Sequence, residues 1–479
     1  MKKIVVQLVQ DTPMWHFQGA FDDCCLRATE VKPKLDRFLL AKLDKGELSV
    51  NGCALTSRDD VPSTWWANED KTAFNYKMRI SAESRSIIES QVPDLDRRTG
   101  QQKTDRNGKS VFRNLYPIYF ARVGADETGD MELVRMSGIR VELIVSDDRL
   151  AECIEPIIPA FFASHSFGAR QDKGFGCFRV SSIEMGDRRE SDDRCVIVPE
   201  GASYSFTVGR CEYPQLFNYI NYFHKVIRSG VNEPGCYVKS MMYHYAKSRG
   251  DVWDKPVIRT NFQIFSQIYE YVCGQITYDE MTGEERGLIR RRVGNRSLNH
   301  MIEEYESSGN LIESKNLYRD ALGLATLQEW KSYHKDKVKI AKQNGEKLDY
   351  KVRFKSPIDY HPYYDKNSGG YIVYIILHEL SSEELRSARF SITDTVWKDS
   401  DGIENLTGMH IADAFFRDDV FSVADYFDFI YNNRWRVKRN WPAERDEERD
   451  CIDIQPGKEN REPYTWITQV FDTLNIVAR

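Results

Sequence analysis

A glycine-rich basic stretch at residues 167–180 constrains most strongly what this chain can fold into. It reads FGARQDKGFGCFRV and lies between an apolar, helix-like run at 150–162 and a strand-like FRVSSIEM. Glycines there permit positive φ or close approach of another group to the backbone. The glycines are Gly168, Gly174 and Gly176, and the cations are Arg170, Lys173 and Arg179. Such a loop suits a phosphate backbone, and the alternative is a solvated turn with incidental basic residues.

The spacing within this stretch argues against one common phosphate site. It lacks the pattern G-x-x-x-x-G-K-[ST], and it precedes a strand instead of opening a helix. A mononucleotide cradle is therefore not expected.

Apolar patterns around the loop predict an α+β fold. Strand patterns occur at 4–9, 114–123 and 136–145, and helix patterns after Pro33 and at about 148–163. Between the first helix and the second strand lies a polar excursion at 89–112 that has little to pack, which predicts an extended hairpin or a disordered segment. The order β-α-(excursion)-β-β-α-loop-β is consistent with a ferredoxin-like or RRM-like sandwich.

Two further segments carry clusters of cations, and a solvated surface is the alternative interpretation of each. A helix start with basic side chains is a good neighbour for phosphates. The helix cations are Arg27, Lys32, Lys34 and Arg37, and those of the excursion are Arg97, Arg98, Lys103, Arg106 and Lys109.

Length and composition indicate a multidomain soluble protein. The 479 residues suggest two to four domains, which we place at 1–200, 201–390 and 391–479. The second has mostly helical patterns, including charged ones near 311–346, and the third is a C-terminal extension. The ten cysteines form no CxxC pair, and no apolar run approaches the roughly 20 residues of a membrane span. We therefore expect a reduced, cytoplasmic protein without a membrane partner.

The net charge of −6 argues mildly against a free-standing nucleic-acid binder, although a local basic face decides binding.

The stretch at 167–180 resembles the glycine-rich loop of the RAMP superfamily, the RRM-like proteins of CRISPR effector complexes. Further stretches fit the same order, and together they are most similar to the first subunit of the Cmr (type III-B) module. They are Thr12-Pro13, the helical 217–228, GCYVKS at 235–240, WDKP at 253–256, ALGL at 321–324 and RFKSP at 353–357.

The resemblance implies two RRM-like domains, the second with large helical insertions. It implies a non-catalytic subunit without a cofactor that binds crRNA and target RNA near the guide 3′ end, beside other Cas subunits, in antiviral defence. The excursion resembles in position the thumb-like hairpins of this superfamily, and base pairing by the guide would carry sequence recognition. The expected RNA contacts are Arg170, Lys173, Gly174, Phe175, Gly176, Arg27, Lys32, Lys34, Arg37, Arg98, Lys103 and Arg106, while Phe178 is expected in the core.

Two alternatives stay open at this point. A metal-dependent endoribonuclease would use Asp22 and Asp23, which lie about where cleaving relatives carry an aspartate, although adjacent carboxylates in a loop are more often solvated. His16, His165 and His361 are further acid–base candidates, each more typical of a capped or buried histidine. A protein-only scaffold is the other alternative.

Overall fold

The chain forms a mixture of helices and antiparallel sheets. The computed structural model describes residues 1–16, 26–50, 53–96, 99–117, 132–186, 188–191, 197–233, 236–250, 278–280, 318–323, 328–331, 337–344, 347–349, 355–379, 389–394, 410–411, 421–437, 452–453 and 462–477. The helices are α1 Ala28–Asp44, α2 Asp148–Ile154, α3 Ile158–Ser164, α4 Tyr213–Arg228, α5 Met241–Ser248, α6 Tyr318–Ala321, α7 Val423–Asn432 and α8 Glu462–Thr473.

The strands of the first half are β1 Lys2–Gln10, β2 Met14–His16, β3 Leu48–Val50, β4 Cys53–Leu55, β5 Tyr76–Ser81, β6 Ser84–Ile88, β7 Gln91–Pro93, β8 Phe112–Asn114, β9 Glu132–Ser137, β10 Ile139–Val145, β11 Phe178–Met185 and β12 Arg188–Ser191. Those of the second half are β13 Ala202–Val208, β14 Val231–Glu233, β15 Cys236–Val238, β16 Gln328–Lys331, β17 Lys337–Asn344, β18 Lys347–Asp349, β19 Ile358–Asp365, β20 Gly370–Leu377, β21 Arg389–Asp394, β22 His410–Ile411, β23 Ile452–Asp453 and β24 Asn475–Ile476.

The first main sheet has the antiparallel order β12-β11-β1-β10-β5. Ile4, Val6 and Leu8 of its central strand β1 enter the core from one face, and Val6 lies opposite both Val141 and Ile183. Helices α1, α2 and α3 share one core with the buried residues of this sheet. Period-2 patterning thus sets the strand register, because a slip by one residue would expose the buried face.

The strand beside β10 is not the 114–123 strand of the predicted order, but the FNYKMRI segment at 74–80 has a strand-like pattern of its own. The neighbour of β10 is β5, at 76–81, and the polar excursion follows it within the connection to β10. Most of the strand predicted at 114–123 lies outside the described residues. Helix α1 begins at Ala28, before Pro33, and it buries Val31, Leu35 and Leu39 at a spacing of four residues.

The second main sheet has the order β19-β20-β13-β24, again antiparallel. Helix α4 follows β13, and α8 precedes β24, so both main sheets arise from the succession strand, helix, two strands, helix, strand. In each main sheet, the strands that come first and third in the chain are central, namely β1 and β10 in the first sheet and β13 and β20 in the second. This order arises because the second and third strands pair with each other, while each helix crosses over one face of the sheet.

The C-terminal residues belong to this second unit, which corrects the predicted extension at 391–479. Ile467, Val470 and Phe471 of α8 are fully buried in one core with α4 and α7, and β24 pairs Ile476 with Tyr204. The sequence of α8 has a clear apolar stripe, but a stripe does not say which core it joins.

The charged region predicted as helix near 311–346 contains the one-turn helix α6 at 318–321 and then strands where the structure describes it. Strand β17 pairs with β16, β18 and β21. Its start, KVKI at 337–340, alternates charged and apolar residues, and this period of two fits a strand better than a helix. No helix in the described part of the chain is long and apolar enough to cross a membrane.

Replacing Phe471 with alanine tests whether the C-terminal residues complete a core. Because Phe471 is fully buried, we expect the variant to lose roughly 3–5 kcal/mol of unfolding free energy in urea. Ile476→Ala is the control, since half of that side chain is exposed, and it should change stability by less than about 1 kcal/mol. Equal effects would contradict the assignment.

Candidate nucleic-acid interface

The glycine-rich loop runs from α3 to β11 and is fixed by the turn that follows β1. Thr12 Oγ1 donates to the carbonyl of Gly174 at 2.7 Å and accepts from the amide of Cys177 at 3.0 Å. The amide of Gly176 donates to the carbonyl of Pro13 at 2.9 Å. The early Thr12-Pro13 motif therefore has a structural role, because it satisfies the backbone of the loop.

The glycines of the loop allow close packing against protein. Gly174 has φ +87°, and a Cβ there would lie 2.9 Å from the ring of Pro362 in the second unit. Gly176 has φ +69°, and its Cβ would overlap the carbonyl of Phe167. Both positions are buried, so the predicted approach of phosphates to these two glycines is corrected to an approach of neighbouring protein atoms.

Phe175 and Lys173 are core residues and not surface contacts. The ring of Phe175 is fully buried and stacks on Phe217 of α4, with ring centroids 3.7 Å apart and planes 6° apart. Lys173 is 0% exposed, and its Nζ lies 3.0 Å from Asp172 Oδ2. The predicted RNA contact is therefore wrong for these two side chains in this conformation. Phe178 is buried, as predicted.

Burial lowers the pKa of Lys173, and the nearby carboxylate of Asp172 opposes that effect. A backbone bridge joins Lys173 to Tyr360 of β19, and the amide of Tyr360 donates to the carbonyl of Asp172 at 3.3 Å. The second half of the loop thus connects the two main sheets.

Arg179 and Asp11 add a second link between the two units. Arg179 Nη1 lies 3.1 Å from Asp11 Oδ1 and donates to the carbonyl of Tyr364 at 2.6 Å. Burial raises the pKa of Asp11 to about 7, and the charge of Arg179 only partly offsets this. The pair therefore joins β1 and β11 to β19.

The accessible part of the loop is residues 168–172, which are half-buried. Arg170 has φ +58°, a left-handed conformation that is uncommon away from glycine, and its guanidinium lies 5.2 Å from the ring centroid of Trp15. Left-handed non-glycine residues often lie at functional sites. Arg170 is the cation at the centre of this half-buried segment.

The cations of α1 divide into docked and exposed side chains. Lys34 Nζ donates to the carbonyl of Ser166 at 2.8 Å and to Gln171 Oε1 at 2.7 Å, so the helix holds the start of the loop. Lys32 pairs with the buried Asp36 at 2.8 Å. Arg27 and Arg37 are exposed.

The described part of the excursion is an extended hairpin, one of the two predicted forms. Strands β7 and β8 pair at its base, and isolated bridges at Leu95–Gln102 and Thr104–Ser110 continue towards the tip. Lys103 pairs with Asp94 at 3.0 Å, and Arg106 is exposed. The predicted contacts at 97–98, including Arg98, lie outside the described residues.

The residues of the nuclease alternative are placed as follows. Asp22 and Asp23 lie outside the described residues, as does the side chain of His16. His165 Nδ1 lies 3.0 Å from the carbonyl of Phe161, and burial lowers the pKa values of His165 and of His361, the latter to about 4. Within the described ranges, no three His, Cys, Asp or Glu side chains form a group that could hold a metal ion.

Sequence reasoning missed a polar cluster on the second unit beside the loop. Asp359 Oδ2 lies 2.8 Å from His378 Nε2 and 3.2 Å from Lys355 Nζ. Burial alone would raise the pKa of Asp359, but His378 and Lys355 lower it to about 2. The basic RFKSP run was the only local signal, because the three residues meet through strand pairing.

Comparison with known families identifies the chain. A model of the Cmr1 N-terminal domain matches residues 1–231, and a model of the Cmr1 C-terminal domain matches residues 237–447. The chain belongs to the Cmr1 family. The boundary between the two models falls at the β14–β15 hairpin, so β13 and α4 of the second main sheet lie within the Cmr1 N-terminal match.

Two further comparisons gave one partial structural match and no match among curated proteins. A solved structure described as "Cryo-EM structure of the Type III-B Cmr-beta bound to cognate target RNA" has a chain with 14% sequence identity and a TM-score of 0.23. The match covers 38% of the present chain and 60% of the solved one, so this chain spans less than two thirds of that relative. No curated protein matches.

A pair of glycine substitutions tests the packing of the loop. Gly176 and Gly186 both have positive φ, but only Gly176 faces a neighbour within contact distance. Gly186→Ala should cost roughly 1–2 kcal/mol for its φ alone, and Gly176→Ala a further 1–3 kcal/mol for the overlap. Urea unfolding of both variants measures the difference, and equal losses would contradict the close packing.

The buried Asp11 predicts a pH dependence of stability. Its folded pKa of about 7 lies above the ordinary 3.8, so its contribution is complete below about pH 4 and is lost as the pH rises through 7. The loss amounts to roughly 4 kcal/mol. Urea unfolding at pH 4.5 and pH 8 should show roughly 3 kcal/mol of this loss in the wild type and none of it in Asp11→Asn. An identical pH dependence in both would contradict it.

Proposed function

We propose that this chain is a non-catalytic RNA-binding subunit of a type III-B (Cmr-type) CRISPR-Cas effector complex. Its partners would be crRNA, the complementary target RNA and other Cas subunits, and its contacts would lie near the guide 3′ end. Membership of the Cmr1 family, with matches over 1–231 and 237–447, is the observation that carries this proposal.

We infer that both main units have the ferredoxin-like, RRM-like fold of the RAMP superfamily. The strand orders support this inference. In β11-β1-β10-β5 and in β19-β20-β13-β24, the succession strand, helix, two strands, helix, strand places the first and third strands at the centre. This is the arrangement of a split βαβ fold.

Surface chemistry supports binding to a nucleic-acid backbone. Solvent reaches four cations in three places: Arg170 on the accessible part of the loop, Arg27 and Arg37 beside or on α1, and Arg106 on the excursion hairpin. Guanidinium groups recognise phosphates without reading bases. The half-exposed Phe112, at the base of the same hairpin, offers a ring on which a base could stack.

Removing the charge of Arg170 tests the role of the loop. With the full chain and a fluorescein-labelled single-stranded RNA, Arg170→Gln should weaken binding about fourfold at 0.15 M salt, because one phosphate contact is lost. Lys45→Gln is the matched control, since Lys45 is exposed at the far end of α1, and its affinity should stay unchanged. Equal binding of all three proteins would remove the loop from the interface.

The same mixtures distinguish the other functions. Incubation with Mg²⁺ should leave the RNA intact. Divalent-dependent cleavage that disappears in Asp22→Ala/Asp23→Ala would replace the proposal with an endoribonuclease. Absence of RNA binding and of RNA crosslinks in an assembled complex would favour the protein-only scaffold.

A further inference from the structure

Two groups of basic side chains, far apart in sequence, meet beside the accessible part of the loop. One group is Lys34 and Arg37, which are three residues apart on α1 and so share a helix face. The other is Lys355, just before β19, and His378, just after β20. We call these four residues the junction strip.

A chain of contacts connects the two groups. Lys34 Nζ donates to Gln171 Oε1 at 2.7 Å. The next residue, Asp172, accepts the amide of Tyr360 at its carbonyl, which lays the start of β19 beside the loop. Asp359, immediately before Tyr360, lies 2.8 Å from His378 Nε2 and 3.2 Å from Lys355 Nζ. The strip therefore passes from the first unit to the second within one stretch of surface.

Three of the four side chains of the strip are exposed to solvent. Lys355 is 68% exposed and His378 is 47% exposed, while Arg37 is exposed on α1. Lys34 is more covered, and it anchors the strip to the loop. The exposed cations Arg37 and Lys355 are therefore available to phosphates of an RNA strand.

Arg37 and Lys355 both lie within electrostatic range of Lys34. Burial lowers the pKa of Lys34 first, and the positive charges of Arg37 and Lys355 lower it further, although Glu30 opposes them. The pKa of the neighbouring His165 is lowered by burial and then by Lys34 and Arg37. Like charges so close repel unless an anion compensates them.

Two of the carboxylates nearby, Glu30 and Asp359, are hydrogen-bonded within the protein. Glu30 Oε1 accepts the amide of Gly168 at 2.9 Å, and Asp359 accepts from His378 and Lys355. Both carboxylates therefore have hydrogen-bond partners within the protein. The Lys355 side chain remains two-thirds exposed although it pairs with Asp359.

We propose that the junction strip binds the phosphate backbone of a single RNA strand continuously across both units. The inference rests on the proposed RNA-binding function and extends it, because it assigns the second unit contacts of its own at Lys355 and His378. The ligand chemistry is a polyanionic ribose-phosphate strand, read by charge and not by base.

The test uses the full chain, a fluorescein-labelled single-stranded RNA and fluorescence anisotropy at several KCl concentrations. Arg37→Gln and Lys355→Gln should each weaken binding about fourfold at 0.15 M salt and lower the salt slope by about 0.7. The double variant should weaken binding about 15-fold if both cations contact the same strand. Lys366→Gln is the matched control, because Lys366 is exposed at the opposite end of the β19–β20 hairpin, and it should bind as the wild type does.

The outcomes separate the strip from the function on which it rests. If Arg37→Gln weakens binding but Lys355→Gln behaves as Lys366→Gln does, the strip is overturned and the RNA-binding function stands. Equal weakening by Lys355→Gln and Lys366→Gln also overturns the strip, since only total charge then counts. If the wild type binds no RNA, both proposals fail. If Lys355→Gln changes association with a protein partner instead of RNA affinity, an acidic protein surface replaces RNA.

Crosslinking provides a measurement without substitutions. Ultraviolet crosslinking of the wild-type chain to the same RNA, followed by peptide mapping, should mark peptides containing Arg37 and Lys355. Marks confined to the first unit would overturn the strip.

Discussion

The stacking of Phe175 on Phe217, together with the burial of Lys173 beside Asp172 and Tyr360, is the contact on which the rest of the structure depends. An ammonium group inside a protein is costly unless a charge and hydrogen-bonding groups compensate it. The same lysine forms a backbone bridge to β19. The loop therefore holds the two main sheets in one arrangement, and glycine is needed where the chain passes between them.

This arrangement divides the loop into two parts with different tasks. The buried part, from Lys173 onwards, joins the two units, whereas residues 168–172 remain half-buried at the surface. Lys34 of α1 bonds to the accessible part, so the basic face of the first helix and the loop form one surface. The hydrogen bonds that hold the loop against α1 therefore also position the solvent-exposed cations. A local basic surface can form in this way although the net charge of the chain is negative.

The two main units repeat the same order of strands, although the second is interrupted by long insertions. Its last helix and strand come from the C-terminal residues, whose apolar side chains close a core started by β13 and α4. The match to the Cmr1 N-terminal model extends over β13 and α4. The boundary between the two family models therefore does not coincide with the start of the second main unit, because its sheet is assembled from segments far apart in the chain.

Local patterns alone predicted the strands β1, β10 and β11 and the stripe of α1, since period-2 and period-3.6 burial can be read within a few residues. For the excursion they left a hairpin and a disordered segment open. They also predicted which positions of the loop require glycine. Only the tertiary structure decided that Lys173 and Phe175 are buried, that α8 and β24 complete the second sheet, and that Lys355 and His378 meet at Asp359. These facts depend on which distant segments pack together, and the physical reason is that an apolar stripe or a basic run specifies a face without specifying its partner.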